Sequence, residues 1–244
     1  MKNINLFIGL FFCLNAFSQA KICRTTIWNK EEVFQKNEIQ KYAKYDCSVL
    51  WNKTENNYVY GVIGDNYQRI SIKFISIKRN EKNKTEYLVY GKSSVNSNIC
   101  DFTGTITIEK IQELKKAKFG LDREYENSGI KSQGLLTGSY KFIENKNQRN
   151  AGTFRGKLQT IFYVDKEGFI TYNDIEKYSD GYYNNAFLGI WKSNNSGKEK
   201  ICNWGDYRVP NVNCDLDIGA GEFSVSEKYL KNGWKSIPKQ NWWK

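Results

Sequence analysis

Histidine is absent from the chain, and its 244 residues include only two prolines and one methionine. Without an imidazole group, the chain cannot hold a Ser-His-Asp triad, a Cys-His pair or a zinc site with histidine ligands. No two cysteines stand in a C-x-x-C spacing, which argues against a thiol redox motif and a zinc knuckle. Carboxylates are therefore the obvious general acid and base if the protein is a hydrolase.

The N-terminus has the pattern of a secretory signal peptide. Lys2 supplies the positive charge, residues 4–12 form an almost unbroken apolar run, and Ser18 and Ala20 place small residues where a signal peptidase reads them. The apolar run is shorter than the ~20 residues that span a bilayer. We therefore predict a signal peptide over residues 1–20 and a secreted or periplasmic protein over residues 21–244. No later segment is apolar enough to cross a membrane.

The formal net charge of +11 favours anionic partners. Lysines and arginines are scattered rather than collected in one stripe, so this charge also serves solubility. The expected partner is an anionic or carbohydrate component of the cell envelope, or an acidic protein. Nucleic acid ranks below these because no recognition motif is present.

Alternation of apolar and polar residues predicts a mainly β protein. In residues 100–108, the side chains of Cys100, Phe102 and Ile106 share one face and polar residues take the other. Similar short segments follow at regular spacing, with turn signals such as Asp165–Gly168 between them. This pattern indicates an antiparallel sandwich or barrel with one or two short helices.

Helices are predicted in two places, over residues 31–45 and from residue 108 to about residue 120. The polar, glycine-bearing residues 122–133 mark the boundary if the β-rich domain has two lobes. The segment Phe187–Trp191, F-L-G-I-W, resembles the glycine–tryptophan strand of lipocalin-like barrels. The match covers these few residues alone, so it implies a fold class and no function.

Five cysteines remain after the predicted signal peptide: Cys23, Cys47, Cys100, Cys202 and Cys214. In an exported protein they are expected to form disulfides before they bind metal. Because five is odd, one thiol should stay free, and the inward-facing position of Cys100 makes it the choice. The simplest remaining pairs are Cys23–Cys47 and Cys202–Cys214.

The stretch Cys202–Glu222 concentrates acidic, glycine and aromatic residues, and three interpretations of its acids stay open. Asp215, Asp217 and Glu222 could bind calcium as oxygen ligands of a glycine-rich loop, although the EF-hand spacing is not met. Asp215 and Asp217 could instead form a catalytic carboxylate pair on one face of a strand. The third interpretation is structural, with the acids in solvent and the glycines permitting a bend.

A loop closed by Cys202 and Cys214 would present Trp204, Tyr207 and Arg208, which suit recognition of a sugar face or an acidic group. The alternative is that Trp204 plugs the end of a barrel. A binding or structural role in this loop requires no cofactor, apart from calcium if the acids bind it.

Three functions are compatible with these features. The first is a secreted or periplasmic binding protein that contacts a glycan, an envelope component or a protein through the Cys202–Glu222 loop. The second is a glycosidase-like hydrolase using Asp215, Asp217 and Glu222, with Asp206 in reserve. The third is a secreted inhibitor or immunity-type protein. The balance leans away from an enzyme, since paired carboxylates are common by chance.

Overall fold

The structure is a computed structural model that describes residues 30–236, 238 and 241–244, together with the backbone of residues 22–23. The predicted signal peptide lies outside the described residues. The strands are β1 (Ile22–Cys23), β2 (Val59–Ile63), β3 (Gln68–Arg79), β4 (Glu86–Val95), β5 (Asn98–Glu113), β6 (Ser132–Glu144), β7 (Gly152–Val164), β8 (Ile170–Tyr172), β9 (Asn184–Ser193), β10 (Glu199–Asp206) and β11 (Val212–Asn213). The helices are α1 (Ile39–Tyr42) and three 3-10 segments, Cys47–Leu50, Asn56–Tyr58 and Glu227–Asn232.

Eight of these strands form a closed antiparallel barrel. The order around it is β6-β5-β4-β3-β2-β10-β9-β7, and pairing of β6 with β7 completes the circle. Strand β8 pairs with the C-terminal end of β7, beyond the part of β7 that pairs with β9, and β1 pairs with β11 outside the barrel. Full closure leaves no free edge among the eight strands. The prediction of a mainly β, lipocalin-like barrel with few helices is confirmed.

Aromatic side chains fill the barrel interior. The indole of Trp204 stacks on Phe187 with ring centroids 4.8 Å apart, and Tyr140 meets both rings edge-on. Neighbouring strands also need glycine where they come close: a Cβ atom on Gly104 would lie 1.9 Å from the carbonyl oxygen of Lys141. An eight-stranded barrel is just wide enough for side chains to fill, so its middle is a packed core.

The helix predicted from residue 108 to about residue 120 is wrong. Strand β5 continues to Glu113, and its register with β6 shifts between Ile108 and Lys110. This bulge lets Ile108 and Ile111 both point into the core, although they are three residues apart. A three-residue apolar spacing therefore imitated a helix. The helix predicted over residues 31–45 is reduced to the single turn α1.

The two ends of the barrel differ. The turns β2–β3, β4–β5, β6–β7 and β9–β10 surround one end, which we call the open end. At the opposite, closed end, residues 42–51 pack into the same hydrophobic core as the barrel strands, with Leu50 and Trp51 buried. Residues 122–131 lie in the connection between β5 and β6, which are neighbours in the sheet. The division into two lobes stays a prediction. No helix in the described part is long and apolar enough to cross a membrane.

Candidate ligand-binding cleft

The side chains predicted to bind a ligand in the Cys202–Glu222 loop are mostly turned inward. Trp204 is 2% exposed and belongs to the packed core inside the barrel. Tyr207 is half-buried, and its ring stacks on Tyr58 with centroids 5.4 Å apart. Arg208 is also 2% exposed. The structure therefore does not bring these three side chains together on an accessible surface.

The guanidinium of Arg208 lies inside the loop and is hydrogen-bonded to several of its residues. Its Nη1 atom donates to the carboxylate of Asp217 and to the carbonyl oxygen of Gly219 at 3.0 Å. Its Nη2 atom donates to the carbonyl oxygens of Ala220 and Gly221 at 2.7 and 2.6 Å. The other oxygen of Asp217 accepts from the backbone of the same loop. A guanidinium with this many acceptors holds the loop closed around itself.

The three acids of the predicted calcium site are held apart. Asp217 pairs with Arg208, Asp215 pairs with Lys228 and accepts from the Tyr229 hydroxyl at 2.8 Å, and Glu222 is exposed. Burial raises the pKa of Asp215, but the bonds from Lys228 and Tyr229 hold it below its usual value. Among the described residues, no cluster of three or more His, Cys, Asp or Glu side chains is arranged to hold a metal ion. Use of these acids in a hydrolase stays a prediction.

Both predicted disulfides are wrong. Cys47, Cys100 and Cys202 are free, buried thiols, so neither Cys23–Cys47 nor Cys202–Cys214 exists in the structure. Alternation along β10 sends Cys202 into the core on the same face as Trp204, away from any loop staple. Cys214 is disulfide-bonded, but to none of these three. The prediction of a free, inward-facing Cys100 is confirmed.

A cleft of about 1150 Å³ lies at the open end of the barrel. Its floor is the top of the barrel interior, where Ser93, Glu144, Phe154 and Trp191 line it. Its walls are the four turns that surround this end. Several planar amide side chains line them: Asn66, Asn96, Asn98, Asn150, Asn195 and, from the 3-10 segment Glu227–Asn232, Asn232. A concave site with apolar surface and a few placed polar groups is typical of a small-molecule site.

Glu144 is the polar group at the floor of this cleft, and it is 4% exposed. Its Oε2 atom accepts from the backbone N–H of Gly152 at 2.7 Å and from the indole N–H of Trp191 at 2.8 Å. Its Oε1 atom is bonded to the hydroxyl of Ser93. Burial raises the pKa of Glu144, while these three hydrogen bonds oppose the rise.

Trp191 is fixed in one orientation beside Glu144. Besides the N–H bond, its ring packs so closely on Gly152 that a Cβ atom there would lie 2.3 Å from Cε2 of the indole. The ammonium of Lys200, across the β9–β10 pair, lies 5.9 Å from the ring centroid. The segment Phe187–Trp191, which resembles the glycine–tryptophan strand of lipocalin-like barrels, thus places a rigid aromatic surface in the cleft. An indole held in this way needs no ordering when a ligand arrives.

The charged side chains that line the cleft lie in two places, at its rim and at its floor. Six charged side chains line it: Asp65, Glu144, Arg149, Lys198, Glu199 and Lys200. Three are acidic and three are basic, so their formal sum is zero. All except Glu144 are exposed at the rim.

A second buried carboxyl, Asp206, lies toward the closed end. Its Oδ2 atom accepts from Thr54 at 2.7 Å, from Asn185 at 2.7 Å and from the Tyr172 hydroxyl at 3.0 Å. Burial raises the pKa of Asp206 to about 7. The adjoining cavity, also lined by Lys73, is only about 20 Å³, room for about one water molecule. Asp206 therefore ties the closed end to the barrel and offers no space for a ligand.

Glu144 was not among the site residues predicted from the sequence, although the sequence carries a signal for it. Tyr140, Phe142 and Glu144 alternate along β6 and all point inward. An acid that continues an apolar face is costly to bury, which marks it for attention. Ser93 and Gly152 gave no such signal, because only the closed barrel brings them to Glu144.

No protein-family model matches the chain, and neither a curated protein nor a solved structure matches it. The function of the chain is therefore inferred from the cleft itself.

Proposed function

We propose that the protein is a secreted or periplasmic binding protein whose barrel cleft holds the end of a glycan. The observation that carries this proposal is the Trp191 indole, oriented by Glu144 and Gly152 at the floor of an open cleft. A fixed aromatic face beside planar polar side chains suits a sugar ring, which has an apolar face and hydroxyls at its edge.

The cleft replaces the Cys202–Glu222 loop as the proposed site. The loop offers little accessible surface for a ligand, because the Trp204 indole fills the core and the Arg208 guanidinium is enclosed by its own loop. The cleft offers about 1150 Å³, more than the volumes of roughly 300–1,000 Å³ usual for small-molecule pockets. A glycan end with more than one ring is therefore the size of ligand that fits.

The test is isothermal titration calorimetry with three β-1,4-linked oligosaccharides, one built from glucose, one from N-acetylglucosamine and one from glucosamine. We expect at least one to bind, and Trp191→Ala to weaken it about tenfold, the loss of roughly 1.4 kcal/mol of stacking. Trp243→Ala is the matched control, since Trp243 packs on Lys73 outside the cleft. Circular dichroism verifies that both variants fold.

Two outcomes contradict the proposal. One is that none of the three oligosaccharides binds the folded protein. The other is that Trp191→Ala binds as tightly as the unmodified chain, which would place the glycan elsewhere.

A further inference from the structure

Glu144 is a buried acid without a buried cation. It forms no ion pair with any lysine or arginine that the structure describes, and its three hydrogen-bond partners are neutral groups. A carboxylate removed from water is costly unless it is paired. Asp217 differs from Glu144 in this respect, because its carboxylate forms an ion pair with the guanidinium of Arg208. The floor of the cleft therefore lacks the positive group that the Glu144 carboxylate would favour.

The hydrogen bonds of Glu144 leave one of its oxygens available. The N–H groups of Gly152 and Trp191 can only donate, so Oε2 is fixed as an acceptor. The Ser93 hydroxyl on Oε1 can either donate or accept. When Glu144 is ionised, Oε1 receives a single bond and keeps a lone pair for a donor that enters from the cleft.

The charged groups of the rim do not supply this donor. Arg149, Lys198 and Lys200 are exposed, and Lys200 lies over the Trp191 ring rather than against the carboxylate. Because Asp65 and Glu199 are exposed beside them, the rim as a whole has one net positive charge, which water and salt screen. A cationic ligand therefore meets weak repulsion at the entrance and an unpaired carboxylate at the floor.

An aromatic face next to a carboxylate is the arrangement that recognises an ammonium group. We propose that the glycan bound in the cleft is an amino sugar, with its ring on Trp191 and its ammonium paired with Glu144 Oε1. This inference rests on the proposed function and adds the chemical class of the ligand. A free amine on the sugar ring is the feature that distinguishes the expected ligand from neutral sugars.

The experiment compares the three oligosaccharides at about pH 6, where the amine of glucosamine is protonated. We expect the glucosamine oligomer to bind at least tenfold more tightly than the glucose and N-acetylglucosamine oligomers. In Glu144→Gln, which keeps the size and the acceptor oxygen of the side chain, this preference should disappear while binding of the neutral oligomers remains. Glu199→Gln is the matched control, since it removes an exposed acid from the same cleft and should keep the preference.

The outcomes separate this inference from the proposed function. Equal binding of charged and neutral oligomers by the unmodified protein overturns the amino-sugar inference and leaves glycan binding standing. Retention of the preference in Glu144→Gln, or its loss in Glu199→Gln, also overturns it, because the rim would then be the source of selectivity. If none of the oligomers binds, glycan binding itself fails.

Discussion

Replacing Asp206 by asparagine should change how the stability of the protein depends on pH. The carboxyl is buried and accepts hydrogen bonds from Thr54, Tyr172 and Asn185, but it has no ion-pair partner among the described side chains. Lys73 lines the same small cavity, and burial lowers the pKa of this lysine, the direction opposite to its effect on Asp206. Asparagine has the same shape and keeps an acceptor oxygen, while it removes the charge.

The magnitude follows from the two pKa values of Asp206. The usual value is 3.8, and burial raises it to about 7 in the folded protein. Between these pH values the folded state holds a proton that the unfolded state has released, so the free energy of unfolding falls as pH rises. At about 1.4 kcal/mol per pH unit, the stabilisation present below about pH 4 and lost by about pH 7 is roughly 4 kcal/mol.

The assay is urea unfolding of the unmodified protein and of Asp206→Asn at a series of pH values from about 4 to about 8. The difference in unfolding free energy between the two proteins cancels the titration of all other groups. We expect this difference to shift by roughly 4 kcal/mol in favour of the variant as pH rises. Asp215→Asn is the control: the pKa of Asp215 is lowered, so this group titrates below the range of the assay, and the difference between this variant and the unmodified protein should change little from about pH 4 to about pH 8. If the curves for the unmodified protein and Asp206→Asn are parallel, the argument from burial is refuted.

Two further predictions concern the loop and the thiols. In urea unfolding, Arg208→Met should lower the free energy of unfolding by about 3–5 kcal/mol, because it leaves the largely buried carboxylate of Asp217 unpaired. Lys228→Ala is the control and should leave the free energy of unfolding unchanged, because the pair that Lys228 forms with Asp215 is exposed. Alkylation without reductant should leave Cys47, Cys100 and Cys202 unmodified in the folded protein and should modify all three after unfolding, because the thiols are free but buried. Mass spectrometry measures the modification. If Cys202 resists alkylation in urea, the predicted Cys202–Cys214 disulfide would be supported after all.

The barrel was predictable because its evidence is local. Strands such as β5 alternate apolar and polar residues, and each alternation identifies a face without knowledge of the partner strand. The bulge after Ile108 was not predictable in this way, because a register shift depends on the neighbouring strand. The pattern there satisfied a helical period equally well. Fold class thus follows from periodicity, whereas irregularities in the sheet follow from pairing.

The candidate ligand-binding site was harder to predict, because the amino-acid composition of the Cys202–Glu222 stretch drew attention away from the cleft. The Cys202–Glu222 stretch contains the residue types of a binding loop, but packing assigns them other roles. Trp204 continues the inward face of β10, and Arg208 supplies the hydrogen bonds that a glycine-rich loop cannot make for itself. Conversely, the cleft is assembled from turns and strand ends far apart in sequence. Only Glu144, an acid on an apolar face, carried a signal for the cleft in the sequence, and that signal was missed.

The barrel buries an unpaired carboxyl near each end, and comparing the two separates structure from function. Asp206 accepts three hydrogen bonds beside a cavity with room for about one water molecule, so its environment serves the fold. Glu144 also accepts three, but it lines a cleft of about 1150 Å³. Asp206→Asn should therefore change the pH dependence of stability and leave glycan affinity unchanged, whereas Glu144→Gln should change the choice of glycan. Titration calorimetry and urea unfolding of both variants would test this separation, and a loss of glycan selectivity in Asp206→Asn would show that the two ends act together.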